Sequence, residues 1–185
     1  MNAPEALPVF RYHPDPLATG SIIAAPDRPC LGCSRIRGYL YMGPVYTEKN
    51  FILEEHLCPW CIADGTAAKR FSASFNDAGT MEDVPDAVME EIEKRTPGFH
   101  GWQQESWLTC CGDAAAYLGE AGAAELTRDF PGAIPSVRKY LEENYELAGK
   151  ELEEFVKALR KGDQPTSFIF RCLHCQSYQA YIDQT

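Results

Sequence analysis

The cysteines are the residues whose type and spacing can do chemistry in this sequence. Three C-x-x-C pairs lie in the segments RPCLGCS, EHLCPWCIADG and FRCLHCQS, and they consist of Cys30 and Cys33, Cys58 and Cys61, and Cys172 and Cys175. Two further cysteines, Cys110 and Cys111, are adjacent in WLTCCGD. Two thiolates three positions apart on one tight turn can bind the same metal ion at about 2.3 Å. Because the reducing cytosol disfavours structural disulfides, such pairs predict zinc sites.

The first two pairs have a spacing that fits one four-cysteine zinc site. Between Cys33 and Cys58 lie 24 residues, and they include the aromatic, β-rich segment GYLYMGPVY, residues 38–46, with a Gly-Pro turn signal inside it. Two turns that each present two thiolates complete a tetrahedral shell. We therefore predict a zinc-ribbon-like β-element over residues 28–65, with Cys30, Cys33, Cys58 and Cys61 as ligands.

The motif CPWC also allows a different interpretation. A single C-x-x-C at the junction of a strand and a helix, with a lowered thiol pKa, is typical of thioredoxin-like redox proteins. The second pair at a metal-binding spacing and the lack of a surrounding βαβ pattern weigh against it. Thiol redox chemistry is therefore kept as an alternative to zinc.

The third pair supplies half of a possible second zinc site. Cys172 and Cys175 need two more ligands, and Cys111 is the preferred third one. It ranks above Cys110 because side chains at adjacent positions diverge in both strands and helices. The fourth ligand is Cys110, His100 or a water molecule. The alternative is that these four cysteines are buried thiols that pack as small apolar groups.

The remaining elements indicate an α+β fold with helices between two cysteine-bearing β-elements. The segment EDVPDAVMEEIEKRTPG predicts a helix, Asp113 is expected to cap a second one over residues 114–122, and residues 135–159 form one or two more. TSFIFRC and QSYQAYID read as the strands of a hairpin with the third C-x-x-C at its tip. We predict a single domain over residues 1–185, mainly helical over 83–160 and ending in a β-hairpin over 166–183.

Composition and charge restrict the partners. The chain of 185 residues has 17 basic and 27 acidic side chains, a net charge of −10, which opposes binding to nucleic acids and anionic membranes. No apolar run approaches the ~20 residues of a membrane span. The opening residues MNAPE lack the basic-then-apolar pattern of a secretory signal. We expect a cytoplasmic protein.

Four motifs in order resemble the CbrC family, which is also classed as an uncharacterised UPF family (UPF0167). They are FRYHPDPLATGSI, CPWCIADGTAAKRF, RTPGFHGWQQESWLTCCGD and FRCLHCQSYQAYID. The resemblance implies a cysteine-rich fold without an established activity, and a link to colicin tolerance in enteric bacteria. Carried over position by position, the cysteines of the family's pattern, here expected to be metal ligands, match Cys30, Cys33, Cys58, Cys61, Cys111, Cys172 and Cys175. Relatives often have His-Cys in place of Cys110–Cys111, so this chain departs from the pattern there.

Three functions fit these sequence features. The first is a zinc-stabilised binding or adaptor protein with a protein partner, because a four-thiolate shell leaves no open position for catalysis. The second is a zinc-dependent hydrolase with an open second site, for which His13, Asp15, Glu105 and Asp113 could act as bases. The third is zinc-ribbon nucleic-acid binding, which the net charge opposes. We favour the first, and with it a protein that is not an enzyme.

Overall fold

The computed structural model describes residues 5–48 and 52–184. Residues 1–4, most of the stretch compared with an export signal, lie outside the described residues. The architecture is α+β, which confirms the predicted fold class. The strands are β1 Ile22–Ala25, β2 Gly38–Tyr41, β3 Tyr46–Thr47, β4 Ala73–Ser74, β5 Thr109–Cys110, β6 Asp113–Ala114, β7 Ala116–Ala121, β8 Thr166–Arg171 and β9 Tyr178–Asp183. The helices are α1 Pro59–Ala63, α2 Thr66–Phe71, α3 Asp86–Arg95, α4 Ala123–Arg128, α5 Ile134–Tyr145 and α6 Gly149–Ala158, with a 3-10 turn at Pro131–Ala133.

The amino-terminal part is built on the antiparallel pair β1–β2. Ile22 lies opposite Tyr41 across this pair, and the loop between the strands carries the first C-x-x-C. Both side chains are buried, so one side of the hairpin covers a core. That core contains Phe10, Leu40, Leu53, Leu57, Ile62 and Phe75 together with Cys30, Cys58 and Cys61.

The carboxy-terminal part is a three-stranded antiparallel sheet in the order β7-β8-β9. Strand β8 is central, and Phe168, Ile169 and Phe170 are all buried. A strand that is covered on both faces needs apolar side chains at successive positions, which explains the unbroken run FIF. The hairpin β8–β9 places the third C-x-x-C in its turn, as the sequence predicts.

The two faces of this sheet contact different partners. On one face, the Phe99 ring stacks on Tyr117 with a centroid distance of 3.9 Å, and it lies 5.8 Å from Trp107. Phe168 and Phe170 complete this aromatic cluster. On the other face, Ile169 packs in the core that contains helices α4 to α6. The loop that carries Phe99 is therefore fixed against the sheet by ring packing.

The helix predicted over residues 114–122 is wrong. The alanine-rich stretch instead forms β6 and β7, and β7 pairs with β8. Gly119, with φ of +136°, marks a register shift in this pairing. Alanine has the highest intrinsic helix propensity, but such propensities are small, and pairing along the edge of a buried apolar strand overrides them here.

The helices of the carboxy-terminal half are short. Residues 134–158 form two helices, α5 and α6, of 12 and 10 residues. The helical conformation is interrupted between them, where Glu146 and Gly149 both have positive φ. In the part of the chain that the structure describes, no helix has the length and apolar character that crossing a lipid bilayer requires.

Candidate metal centres

The structure brings the first two C-x-x-C pairs into one cluster. The Sγ atoms of Cys30 and Cys61 are 3.8 Å apart, as are those of Cys33 and Cys58. All four sulfur atoms lie within 4.8 Å of one another. A tetrahedron with metal–sulfur bonds of about 2.3 Å has sulfur–sulfur edges of about 3.8 Å. These four cysteines therefore have the geometry of a tetrahedral metal shell.

Backbone hydrogen bonds shape the first turn, residues 30–35. The N–H groups of Gly32 and Cys58 donate to the Cys30 sulfur at 3.2 and 3.1 Å. The Cys30 N–H donates to the Arg35 carbonyl at 3.0 Å, and Ser34 takes a φ of +60° to close the turn. N–H groups that point at a sulfur stabilise its thiolate form, which is the form that binds metals.

The second pair lies at the start of a helix. Cys58 immediately precedes α1, Pro59 occupies the first helical position, and Cys61 follows one turn later. This is the position that a redox C-x-x-C would take. The sulfur atoms of the pair nevertheless converge on those of Cys30 and Cys33, so the amino-terminal element combines a turn with a helix start.

The thiols of this cluster affect each other's ionisation. Hydrogen bonds from Cys58 and Cys61, with backbone N–H groups, lower the pKa of Cys30. The same hydrogen bond to Cys30 raises the pKa of Cys58 to about 11. These hydrogen bonds favour the thiolate form of Cys30, and a divalent cation that bound here would displace the protons of the neighbouring thiols.

The remaining four cysteines form a second cluster. The Sγ atom of Cys110 is 3.7 Å from that of Cys111 and 3.8 Å from that of Cys175. Cys172 completes a group whose sulfurs all lie within 4.8 Å of one another. The sequence ranked Cys111 above Cys110, but the structure places both in the cluster.

The β5–β6 turn explains how adjacent cysteines converge. Cys110 pairs with Asp113, so only Cys111 and Gly112 form the loop, with φ of +55° and +71°. Positive φ at both central residues is the geometry of a type I′ hairpin turn. The left-handed backbone at Cys111 rotates its side chain toward Cys110. The rule that adjacent side chains diverge holds for regular strands and helices, and this turn is neither.

The third C-x-x-C repeats the geometry of the first. Its leading residue, Cys172, donates its N–H to the Ser177 carbonyl at 2.9 Å, five residues on, as Cys30 does to Arg35. The His174 N–H lies 3.4 Å from the Cys172 sulfur. Gln176, which follows the second cysteine, has a φ of +62°. The two segments share the pattern C-L-x-C and form the same kind of turn.

A buried carboxylate connects the two loops of the second cluster. Asp113 accepts hydrogen bonds from the Tyr12 hydroxyl at 2.7 Å and from His174 Nε2 at 2.8 Å, and Arg11 forms an ion pair with it. Burial alone would raise the pKa of Asp113, but the hydrogen bonds from Tyr12 and His174 and the charge of Arg11 outweigh it and lower the pKa. The sequence suggested a helix cap for Asp113, whereas it joins the hairpin turn to the cysteine turn.

The other candidate residues from the sequence lie elsewhere. His100 Nε2 donates to the Met42 carbonyl at 2.8 Å, Glu105 accepts from the Tyr46 hydroxyl, and Asp15 accepts from a backbone N–H of its own loop. Across residues 5–48 and 52–184, no histidine or carboxylate joins either sulfur cluster at ligand distance. In those residues each cluster consists of four cysteines alone.

His13 is fully buried and occupies both of its ring nitrogens. Nδ1 donates to the Pro97 carbonyl at 2.7 Å, because a carbonyl can only accept. Burial lowers the pKa of His13 to about 4, so the ring is neutral and Nε2 accepts from the Thr19 hydroxyl at 2.7 Å. This arrangement anchors the amino-terminal loop and leaves no nitrogen free for a metal.

The burial of His13 predicts acid sensitivity. The unfolded chain binds a proton there below a pKa of about 6.5, whereas the folded protein resists it until about 4. Stability is therefore lost as the pH falls through this window, by about 2 kcal/mol between pH 7 and 5. Urea unfolding of the parent and of His13→Gln at both pH values measures it. The free energy of unfolding should fall less on acidification for the variant than for the parent. An equal decrease in both proteins would contradict the prediction.

The fold and the clusters define an α+β protein with two tetracysteine centres, each able to hold a metal ion. The chain belongs to the uncharacterised protein family UPF0167, whose model matches residues 7–184. This confirms the resemblance to that family carried by the four sequence motifs.

Curated relatives match over almost their full length. UPF0167 proteins of Mycobacterium bovis and Mycobacterium tuberculosis are each 48% identical over 184 residues, covering 98% of this chain and 96% of theirs. A UPF0167 protein of Pseudomonas aeruginosa is 42% identical over 185 residues, covering 99% and 98%. No solved structure matches the chain.

Proposed function

We propose that the protein binds zinc at both clusters and acts as a zinc-stabilised binding or adaptor protein. The observation that carries this proposal is the 3.7–3.8 Å spacing of sulfur atoms in two complete four-cysteine groups. Four thiolates in a tetrahedral arrangement are characteristic of zinc or iron–sulfur chemistry. Sulfur atoms this close together fit one tetrahedral ion, and four-cysteine structural zinc sites have this geometry. Zinc has no redox chemistry and would join distant segments of the chain.

A hydrolase with an open second site is the weaker alternative. It requires three protein ligands and a water molecule. In the second cluster the Cys110 sulfur lies 3.7 and 3.8 Å from those of Cys111 and Cys175, which supports Cys110 as the fourth ligand in place of water. The residues suggested as its bases contact other groups. In the proposed function, both centres are structural and neither is catalytic.

The helix-terminal position of Cys58 favours thiol redox chemistry as a second candidate. A redox pair needs one cysteine to react with its own partner and with substrate. Here Cys58 is 3.8 Å from Cys33 of the other pair, and its sulfur is buried. These contacts support metal binding above exchange with a disulfide substrate.

The adaptor role is supported by apolar side chains beside the first centre. Leu31, inside the first C-x-x-C, is 45% exposed, and Ile36 after it is 59% exposed. Exposed aliphatic groups on a rigid turn can contact another protein at little entropic cost. We infer that the partner is a cytoplasmic protein. The resemblance to the CbrC family implies that this interaction serves colicin tolerance.

Elemental analysis combined with X-ray absorption tests the zinc proposal. We expect two zinc ions per chain after expression in zinc-containing medium, each with four sulfur neighbours at about 2.3 Å. Removal of zinc with a strong chelator should unfold the amino-terminal part. A chain that binds no metal and stays folded would refute the proposal, and nitrogen or oxygen neighbours at the zinc would revive the hydrolase.

A further inference from the structure

The two clusters differ strongly in their surroundings. In the first, Cys30, Cys58 and Cys61 are each no more than 2% exposed, and they belong to the amino-terminal core. In the second, only Cys172 is buried to this degree, while Cys111 and Cys175 are exposed and Cys110 is half-buried. In the first centre only Cys33 is partly exposed, whereas in the second three of the four cysteines are partly or fully exposed.

The exposed turn of the second cluster has room to move. A methyl group placed on Gly112 would meet only the Asp83 carbonyl, at 3.9 Å. By contrast, a methyl group placed on Gly32, in the turn of the first cluster, would lie 2.9 Å from the Cys61 sulfur. The space beside the Cys111–Gly112 turn is therefore open, whereas the turn that carries Cys33 packs directly against Cys61.

The rest of the second cluster has a rigid support. Asp113 follows the turn directly and is held by Tyr12, Arg11 and His174. Gln179 donates to the Thr109 carbonyl at 2.9 Å, which fixes β5 to β9. When one sulfur leaves the ion, these contacts keep the other loops in place, so the cluster can reform.

We infer that the second cluster is an exchangeable metal site, which transfers a thiophilic divalent ion to and from thiolate ligands in solution, while the first cluster retains its ion. The inference rests on the proposed zinc binding. An incoming thiol loses its proton and forms one metal–sulfur bond as the bond to Cys111 or Cys175 breaks. The released cysteine takes up a proton, so the ion keeps four sulfur ligands and no oxidant or reductant takes part.

Native mass spectrometry of the zinc-loaded protein in Cd²⁺ and reduced glutathione tests this. The two ions differ in mass, so each exchange is counted directly. We expect a species with one zinc and one cadmium to form first, with the second exchange at least ~10-fold slower. Simultaneous exchange of both ions, or retention of both, would overturn the inference.

Matched variants assign the fast ion. Cys111→Ser and Cys175→Ser should each remove the fast-exchanging ion and leave one slowly exchanging zinc. If the fast ion persists in both variants, the exchangeable site is not the second cluster and the inference fails. A parent protein without zinc refutes the proposed function instead. A parent protein with two slowly exchanging zinc ions, one of which is lost in each variant, contradicts only the inference.

Discussion

Cys58→Ser is expected to leave the protein unfolded. It removes one sulfur from the enclosed first cluster, and the other three cannot hold zinc with comparable affinity. Metal binding at a structural site contributes about 10–16 kcal/mol in small zinc domains, whereas a folded domain is stable by only about 5–15 kcal/mol. Loss of this cluster therefore removes most of the free energy that holds the amino-terminal core together. Soluble yield and far-ultraviolet circular dichroism measure the effect.

The second cluster supplies the matched control. Cys110→Ser also removes one of four sulfurs, but the second cluster lies at the surface, on the turns of the β5–β6 and β8–β9 hairpins, whose strands pair with each other. This variant should remain soluble and folded, with a lower zinc content. Equal losses of soluble protein in the two variants would show that both centres, or neither, hold the fold together.

Asp113→Ala is expected to cost about 3 kcal/mol and to empty the second metal site. The substitution leaves the hydroxyl of Tyr12 without its acceptor inside the core, which alone costs about 1–3 kcal/mol. It also releases His174 and Arg11, so the two cysteine loops lose the group that joins them. Denaturant unfolding gives the loss of stability, and zinc analysis should show one ion instead of two.

Arg11→Gln provides the comparison for this prediction. The Arg11 side chain is half-exposed, and ion pairs at such positions contribute about 0–1 kcal/mol. The variant should stay close to the parent in stability and in zinc content. An Asp113→Ala protein that behaves like Arg11→Gln would mean that Asp113 does not position the cluster.

The first cluster could be predicted because the information is local. Each C-x-x-C encodes a tight turn, and four cysteines in two pairs define a tetrahedral set without knowledge of the rest of the chain. The hairpin around Cys172 and Cys175 was equally visible, since two β-rich segments flank one turn.

The second cluster was only partly visible because its geometry depends on backbone conformation. Whether Cys110 and Cys111 can share an ion depends on the positive φ of Cys111. The dipeptide Cys-Gly between two short strands was an available signal, because glycine is favoured in two-residue hairpin turns. The role of Asp113 in joining the two cysteine loops could not be predicted, because Tyr12 and His174 are distant from it in sequence.

The two centres also differ in when the growing chain can complete them. All ligands of the first lie within residues 30–61, so that centre can close while most of the protein is still being synthesised. The second also needs Cys172 and Cys175, which are synthesised only after strands β1 to β8. The hairpin that carries them also supplies two of the three strands of the main sheet. Closing the second centre and completing that sheet therefore depend on the same hairpin, which is synthesised long after the ligands of the first centre.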